Sequence, residues 1–318
     1  MTAARPASAP SLPLFRGRIG CDASSGYYAS VRRYRLHLSL SCPHCLRIAL
    51  THSLLGLDDV LPVELLPAVP DRPDGGYSAL RPLYEASSHR YPGAAVAPVL
   101  SDDWTGRIVS THTPHILRDL ARHFGGAGAD GPALYPHGAE AEIDAVGRLC
   151  AYGINEAAQR AGQAGADATA RRTALGSLLR TLDSLESRLA SQDCVLGDEI
   201  TIGDVQLWVA LVQLDTVHRW HLDADAVHRI AGHPHLWAYA RRLAAHPAFG
   251  PRLDLHGIAR RHHADCRGLE AAGAAVQILD WAVHTPERAE RVTGAEREAP
   301  RVLPVLEPDD MGVPRALS

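Results

Sequence analysis

Four consecutive residues, Cys42, Pro43, His44 and Cys45, constrain this 318-residue chain more than any other feature. Just before them, Tyr34, Leu36, Leu38 and Leu40 alternate with Arg35, His37 and Ser39, the period-2 pattern of a strand. Just after them, Leu46 to Leu55 reads as a helix with Gly56 as its stop, and Val60 to Leu66 as a second apolar strand. The reading is strand–helix–strand, with two cysteines at the helix N-terminus. Unpaired N–H groups and the positive end of the helix dipole favour a thiolate at that position. Cys42 is therefore the expected nucleophile and the more acidic and exposed of the pair. Pro43 suits the first turn, and His44 can stabilise the thiolate. Cys45, three residues on and on the same face, can attack a mixed disulfide at Cys42. A Cys-x-x-Cys pair also occurs in zinc sites or as inert core residues, but there is no second pair, and the strand and helix around it fit redox chemistry better. No metal is expected.

Further along, residues 68–92 read as a polar loop with four Pro and two adjacent Gly. Val96 to Leu100 is a third strand with Pro98 near its start, where a ladder needs no N–H. Asp102 to Gly106 turns the chain into a fourth strand, Arg107 to Val109. Thr113 and Pro114, as cap and first-turn residue, open a helix ending at His123. Gly125 to Gly138 is a Gly-rich linker. Beyond it the periodicity is helical throughout, over 139–162, 169–191, 233–246 and 255–272. Thr201 and Asp204 form a capping box that opens a buried helix. Trp208 and Trp237 sit in apolar helical patterns and read as core. The expected organisation is an arm (1–32), an α/β domain (33–124), a linker (125–138), an all-helical domain (139–283) and a loosely held tail (284–318).

Composition excludes several functions. A net charge of −4 without a basic block disfavours nucleic acid as a partner. All 32 basic residues are Arg, so no Lys is available as a base or Schiff-base residue. Cys21, Cys150, Cys194 and Cys266 stand alone and read as buried small hydrophobes or bystanders. No apolar run is long enough to span a membrane, and the N-terminal stretch lacks the apolar core of a secretory leader, so a cytoplasmic protein is expected.

Beyond these local readings, several segments taken together carry a resemblance. They are RYRLHLSLSCP at 33–43, LGLDDV at 55–60, LYE at 83–85, APVL at 97–100, TGRIV at 105–109 and LYP at 134–136. Ile154 with Asn155, TIGDV at 201–205, LDTV at 214–217 and HPHLW at 233–237 continue it. In this order, over about residues 15–270, the chain resembles the Xi-class glutathione transferases, the glutathionyl-hydroquinone reductases. The resemblance implies the glutathione-transferase fold: an α/β N-terminal thioredoxin-like domain plus an all-α C-terminal domain, usually as a homodimer. It also implies a catalytic Cys that takes a glutathionyl group from a quinol conjugate as a mixed disulfide, which a second glutathione then releases. Cys42 matches that Cys, and Arg47 matches the Arg that ends the family motif. Pro98, after Ala97, matches a cis-proline beside the thiol site.

The chain departs from the family pattern at both ligand sites. Where the family has Trp-Ala-His after Cys-Pro, this chain has His44, Cys45 and Leu46, which adds a second cysteine. His112 and Thr113 stand in place of the Glu-Ser pair that holds the γ-glutamyl end of glutathione. Tyr77 stands for a Trp of that site. Gln159, His218, His262 and His263 replace tyrosines of the quinol pocket, and Asn155 is retained. The expected cosubstrate is glutathione or another low-molecular-weight thiol, bound by Arg47, Tyr77, Ala97, Pro98, His112 and Thr113, with Thr113 capping its helix and donating to a carboxylate. Asn155, Gln159, His218, His262 and His263 would contact a small electrophilic or quinone-like substrate. Two other readings stay open: a His-based isomerase, cyclase or lyase of a specialised metabolite, and a non-catalytic ligand-binding protein.

Overall fold

The structure, a computed structural model, describes residues 15–125, 132–266 and 271–281, all within one compact unit. The expected tail, 284–318, lies outside the described residues, as does the middle of the linker. The first layer is a four-stranded sheet built from β1 (Tyr34–Leu38), β2 (Val63–Leu65), β3 (Val99–Asp102) and β4 (Arg107–Ser110), in the order β2-β1-β3-β4. β1 pairs parallel with β2 and antiparallel with β3, and β3 pairs antiparallel with β4. The parallel pair is joined by α1 (Pro43–Leu54), as a parallel crossover requires. Alternation sends Leu36, Leu38, Leu100 and Val109 into one core with α1 and α3 (Thr113–His123). Val99 and Ile108 point the other way, into a smaller core under Tyr77, Leu80 and Tyr84.

That second cover corrects the reading of 68–92 as a loop. It contains a 3-10 turn, Ser78–Leu80, and a helix, α2 (Arg81–Ser87). Pro82 lies in the first turn of α2, where a missing N–H costs nothing. Because both sheet faces are covered, His37 of β1 is also buried, and its Nε2 lies 3.0 Å from Ser101 Oγ. β2 is shorter than the expected Val60–Leu66. At α3 the N-cap is His112, without a side-chain cap bond, and Thr113 is the first helical residue rather than the cap. The arm is tied to the sheet through Gly17 N–H to Val109 O (2.8 Å) and to α3 through Arg18 to Asp119.

The second layer is helical. α4 (Glu140–Arg148) runs into a π-helical stretch, Leu149–Glu156, and on into α5 (Ala157–Ala161), where one regular helix was expected. α6 (Ala168–Leu189) packs against α5 and α9. α7 (Ile202–Thr216) is buried on nearly all sides and begins with the expected Thr201–Asp204 capping box. A 3-10 turn, His218–His221, follows. The sequence reading missed α8 (Ala224–Ala231); α9 is Pro234–Ala244. α10 (Leu255–Asp265) ends seven residues before the expected 272. Segment 271–281 returns over this layer, with Trp281 Nε1 donating to Asp215 (2.8 Å) and Trp281 edge-on to Trp208. The two layers are thus a thioredoxin-like α/β unit and an all-helical unit. Among the described residues no helix is long and apolar enough to cross a membrane.

Candidate active site

Cys42 is the N-cap of α1, reached by a tight turn in which its N–H donates to Ser39 O (2.9 Å). Ser39 and Ser41 pin this turn to Pro67 O and Ala68 O. Cys42 is 7% exposed and Cys45 is fully buried, so the expected nucleophile sits recessed rather than open. Its pKa falls to about 5. The largest cause is the hydrogen bond from the Cys45 thiol; burial opposes it, while the Cys45 N–H and the nearby His44 and Arg261 assist. For Cys45 the direction is opposite. Burial, its bond to Cys42 and the Cys42 charge hold its thiol protonated well above the ordinary range. The pair is a thiolate and a thiol that donates to it.

The sheet register pairs His37 with Val99, so Ala97 and Pro98 extend β3 toward the edge from which the Cys42 turn leaves β1. The Ala97–Pro98 peptide is cis. Tyr77, buried in the core under α2, accepts a hydrogen bond at its hydroxyl from Arg261 Nη1 of α10 (3.2 Å). Arg261 thereby brings the helical layer to the thiolate. Sequence reasoning missed it, although its phase was readable: Gly257 and Ile258 are the buried residues of α10, and Arg261 lies four and three positions on. Arg47, one turn into α1, is half-buried, with its Nε buried and unpartnered. Burial lowers its pKa, and the nearby Cys150 and Cys42 thiols oppose that shift. A 360 Å³ cleft opens here, lined by His44, Arg47, Thr113, Cys150, Tyr152 and Gln206 among others. One wall is therefore the π-helical stretch. Such stretches often mark functional sites.

The histidines fall into separate groups. His112 stacks edge-on to His115 at 4.2 Å between ring centroids, and both Nδ1 atoms are buried without partners. Burial lowers both pKa values, with Arg16 and Arg18 adding to the effect. An ammonium group fits poorly at such a place. His218 is buried beside His221 and His262, and burial pushes its pKa down to about 4. His263, next in sequence to His262, is exposed, so the two do not share a face. Asn155 is half-buried on the π-helical stretch with an unpartnered Oδ1, and Gln159 is exposed on α5.

A thioredoxin-like layer with a thiolate at the start of its first helix, closed by a helical layer, defines a glutathione-transferase type of protein. Residues 156–242 match the family model "Glutathione S-transferase, C-terminal domain". The solved structure of a glutathione transferase from Gordonia bronchialis is 31% identical, covers 78% of this chain and 81% of its own, and superposes with a TM-score of 0.69. The glutathione-S-transferase Xi of Phanerochaete chrysosporium is 26% identical over 80% of this chain and 87% of its own, with a TM-score of 0.67. The glutathionyl-hydroquinone reductase PcpF of Sphingobium chlorophenolicum is 29% identical over 76% of this chain and 80% of its own length. The chain belongs to the glutathione transferase family.

Proposed function

We propose that this chain is a thiol-dependent oxidoreductase in which Cys42 removes a thiol group from a small quinone-derived or otherwise electrophilic metabolite, with glutathione as cosubstrate. The observation that carries the reading is the Cys42 thiolate, lowered to about pKa 5 by the Cys45 thiol and standing two residues before His44, which lines the cleft between the two layers. The Cys42 sulfur attacks the sulfur of a glutathionyl-hydroquinone. The sulfur–carbon bond breaks, its electron pair stays on the ring carbon, and that carbon takes a proton. Hydroquinone leaves, and Cys42 is left in a mixed disulfide with glutathione. A second glutathione thiolate attacks the outer sulfur, so that oxidised glutathione leaves and the Cys42 thiolate returns. The sulfur end of glutathione would lie along Ala97 and Pro98, near Tyr77 and Arg47, and the residues of the helical layer would face the quinone ring.

Cys45 adds a second route for release. Its thiolate can displace glutathione from Cys42, leaving a Cys42–Cys45 disulfide that two further thiols reduce. Forming the mixed disulfide removes the Cys42 charge, one of the causes that hold Cys45 protonated, while burial continues to hold it. The direct route therefore dominates at neutral pH, and the internal one gains as pH rises. A homodimer in the cytoplasm, with residues 33–124 serving the thiol and 139–283 the substrate, completes the proposal.

The test is turnover of a glutathionyl-hydroquinone by wild type and Cys42→Ser. Wild type should release hydroquinone and oxidised glutathione in equal amounts, while Cys42→Ser binds the conjugate without turnover. Turnover by Cys42→Ser would overturn the reading.

A further inference from the structure

A second cluster of chemically active side chains lies where α10 ends against the 3-10 turn that follows α7. His221 comes from that turn, and His262 and Cys266 from α10 and its C-cap. The last two are four residues apart, the spacing that puts side chains on one helix face. Cys266 Sγ lies 3.6 Å from His221 Nε2, and the His221 and His262 rings are 5.1 Å apart at their centroids. One ligand atom from each of the three lies within 4.8 Å of the other two. His221 packs closely on the end of α5, where a Cβ on Gly162 would stand only 2.7 Å from its Cβ. His218, buried in the same turn, neighbours both imidazoles.

These distances have a chemical meaning. Zinc bonds of about 2.1 Å to nitrogen and about 2.3 Å to sulfur, at tetrahedral angles, separate two nitrogens by about 3.4 Å and a nitrogen from a sulfur by about 3.6 Å. The sulfur–nitrogen pair already has that spacing. Closing the others from 4.8 Å or less needs rotation about side-chain bonds rather than a rebuilt backbone. Two imidazoles and a thiolate are the donors that select zinc-class ions over magnesium or calcium. None of these residues lines the 360 Å³ cleft beside His44 and Arg47.

We propose that His221, His262 and Cys266 form a binding site for one zinc-class divalent ion, with His218 on its fourth side. Binding would displace the Cys266 proton to solvent as the sulfur–metal bond forms, with no change of oxidation state. The ion would tie the end of α10 to the turn after α7, and so steady the helix that carries Arg261.

The test is titration of the metal-free protein with Co2+, followed by displacement with Zn2+. The expected result is one Co2+ per chain with a thiolate charge-transfer band and tetrahedral visible bands, bleached by Zn2+. Cys266→Ser should abolish the charge-transfer band. His221→Gln should weaken binding by at least about tenfold, the usual cost of disturbing even a ligand's supporting partner. Cys42→Ser should bind as wild type does. Circular dichroism checks that each variant is folded, and His262→Gln provides a second ligand variant. Binding that survives Cys266→Ser, disappears in Cys42→Ser, or yields no thiolate band would overturn the proposal.

Discussion

Cys42 is a thiolate because Cys45 donates to it, so its acidity can be moved by one substitution. Iodoacetamide labelling of Cys42 should rise through about pH 5 and be flat above it, since only the thiolate reacts and the lowered pKa sets where it appears. Cys194, whose thiol burial pushes up to about 11, should stay unlabelled at pH 6. Cys45→Ala removes the largest cause of the lowering, and the labelling profile should move to higher pH; peptide mapping reads both outcomes. His112 sets a different limit. Burial, His115, Arg16 and Arg18 lower its pKa, so it is neutral at pH 7 and gains charge only as the solution turns acid. A γ-glutamyl ammonium placed there, as the family resemblance implies, would then be repelled. Glutathione should bind weakly, and more weakly as pH falls. His112→Glu should tighten it by about tenfold, the scale of one hydrogen bond to a charged group. Calorimetry showing tight, pH-independent binding to wild type would refute this.

Among the elements, α7 depends most on a single side chain. The Asp204 carboxylate accepts from Thr201 N–H (2.9 Å), Thr201 Oγ1 (3.0 Å), Val195 N–H (2.7 Å) and the Tyr239 hydroxyl (3.0 Å). Asp204→Ala leaves those donors buried and unpaired and should lower stability by about 3 kcal/mol in urea unfolding. This cap was legible in sequence because Thr-x-x-Asp is local, and so was α1 with its paired cysteines. α2 was hidden because Pro and Gly outweighed the spacing of Tyr77, Leu80, Tyr84 and Tyr91, all buried. The site was only half legible. The bond from Arg261 to Tyr77 spans 184 positions, and no local pattern reports a contact of that kind. Nor does the doublet His262–His263 reveal which of its members faces inward until the phase of α10 is known.

At the scale of the whole molecule, α1 belongs to both layers. Cys42, Cys45, Ile48 and Ala49 pack in the core shared with the sheet, while Leu46 and Leu50 pack in the helical core beside α7. Leu46 is fully buried, and Leu46→Ala should cost about 2–5 kcal/mol. It should also lower by the same interval the temperature at which tryptophan fluorescence changes and that at which low-pH Cys42 labelling is lost. Two separated midpoints would show that the layers melt independently. A helix held from both sides also decides how a stock of this protein ages. Warming cannot dismantle one layer and leave a crippled but working thiol in the other. A stored preparation should therefore lose active molecules rather than speed per molecule, and titrating the remaining low-pKa thiol should count the survivors directly.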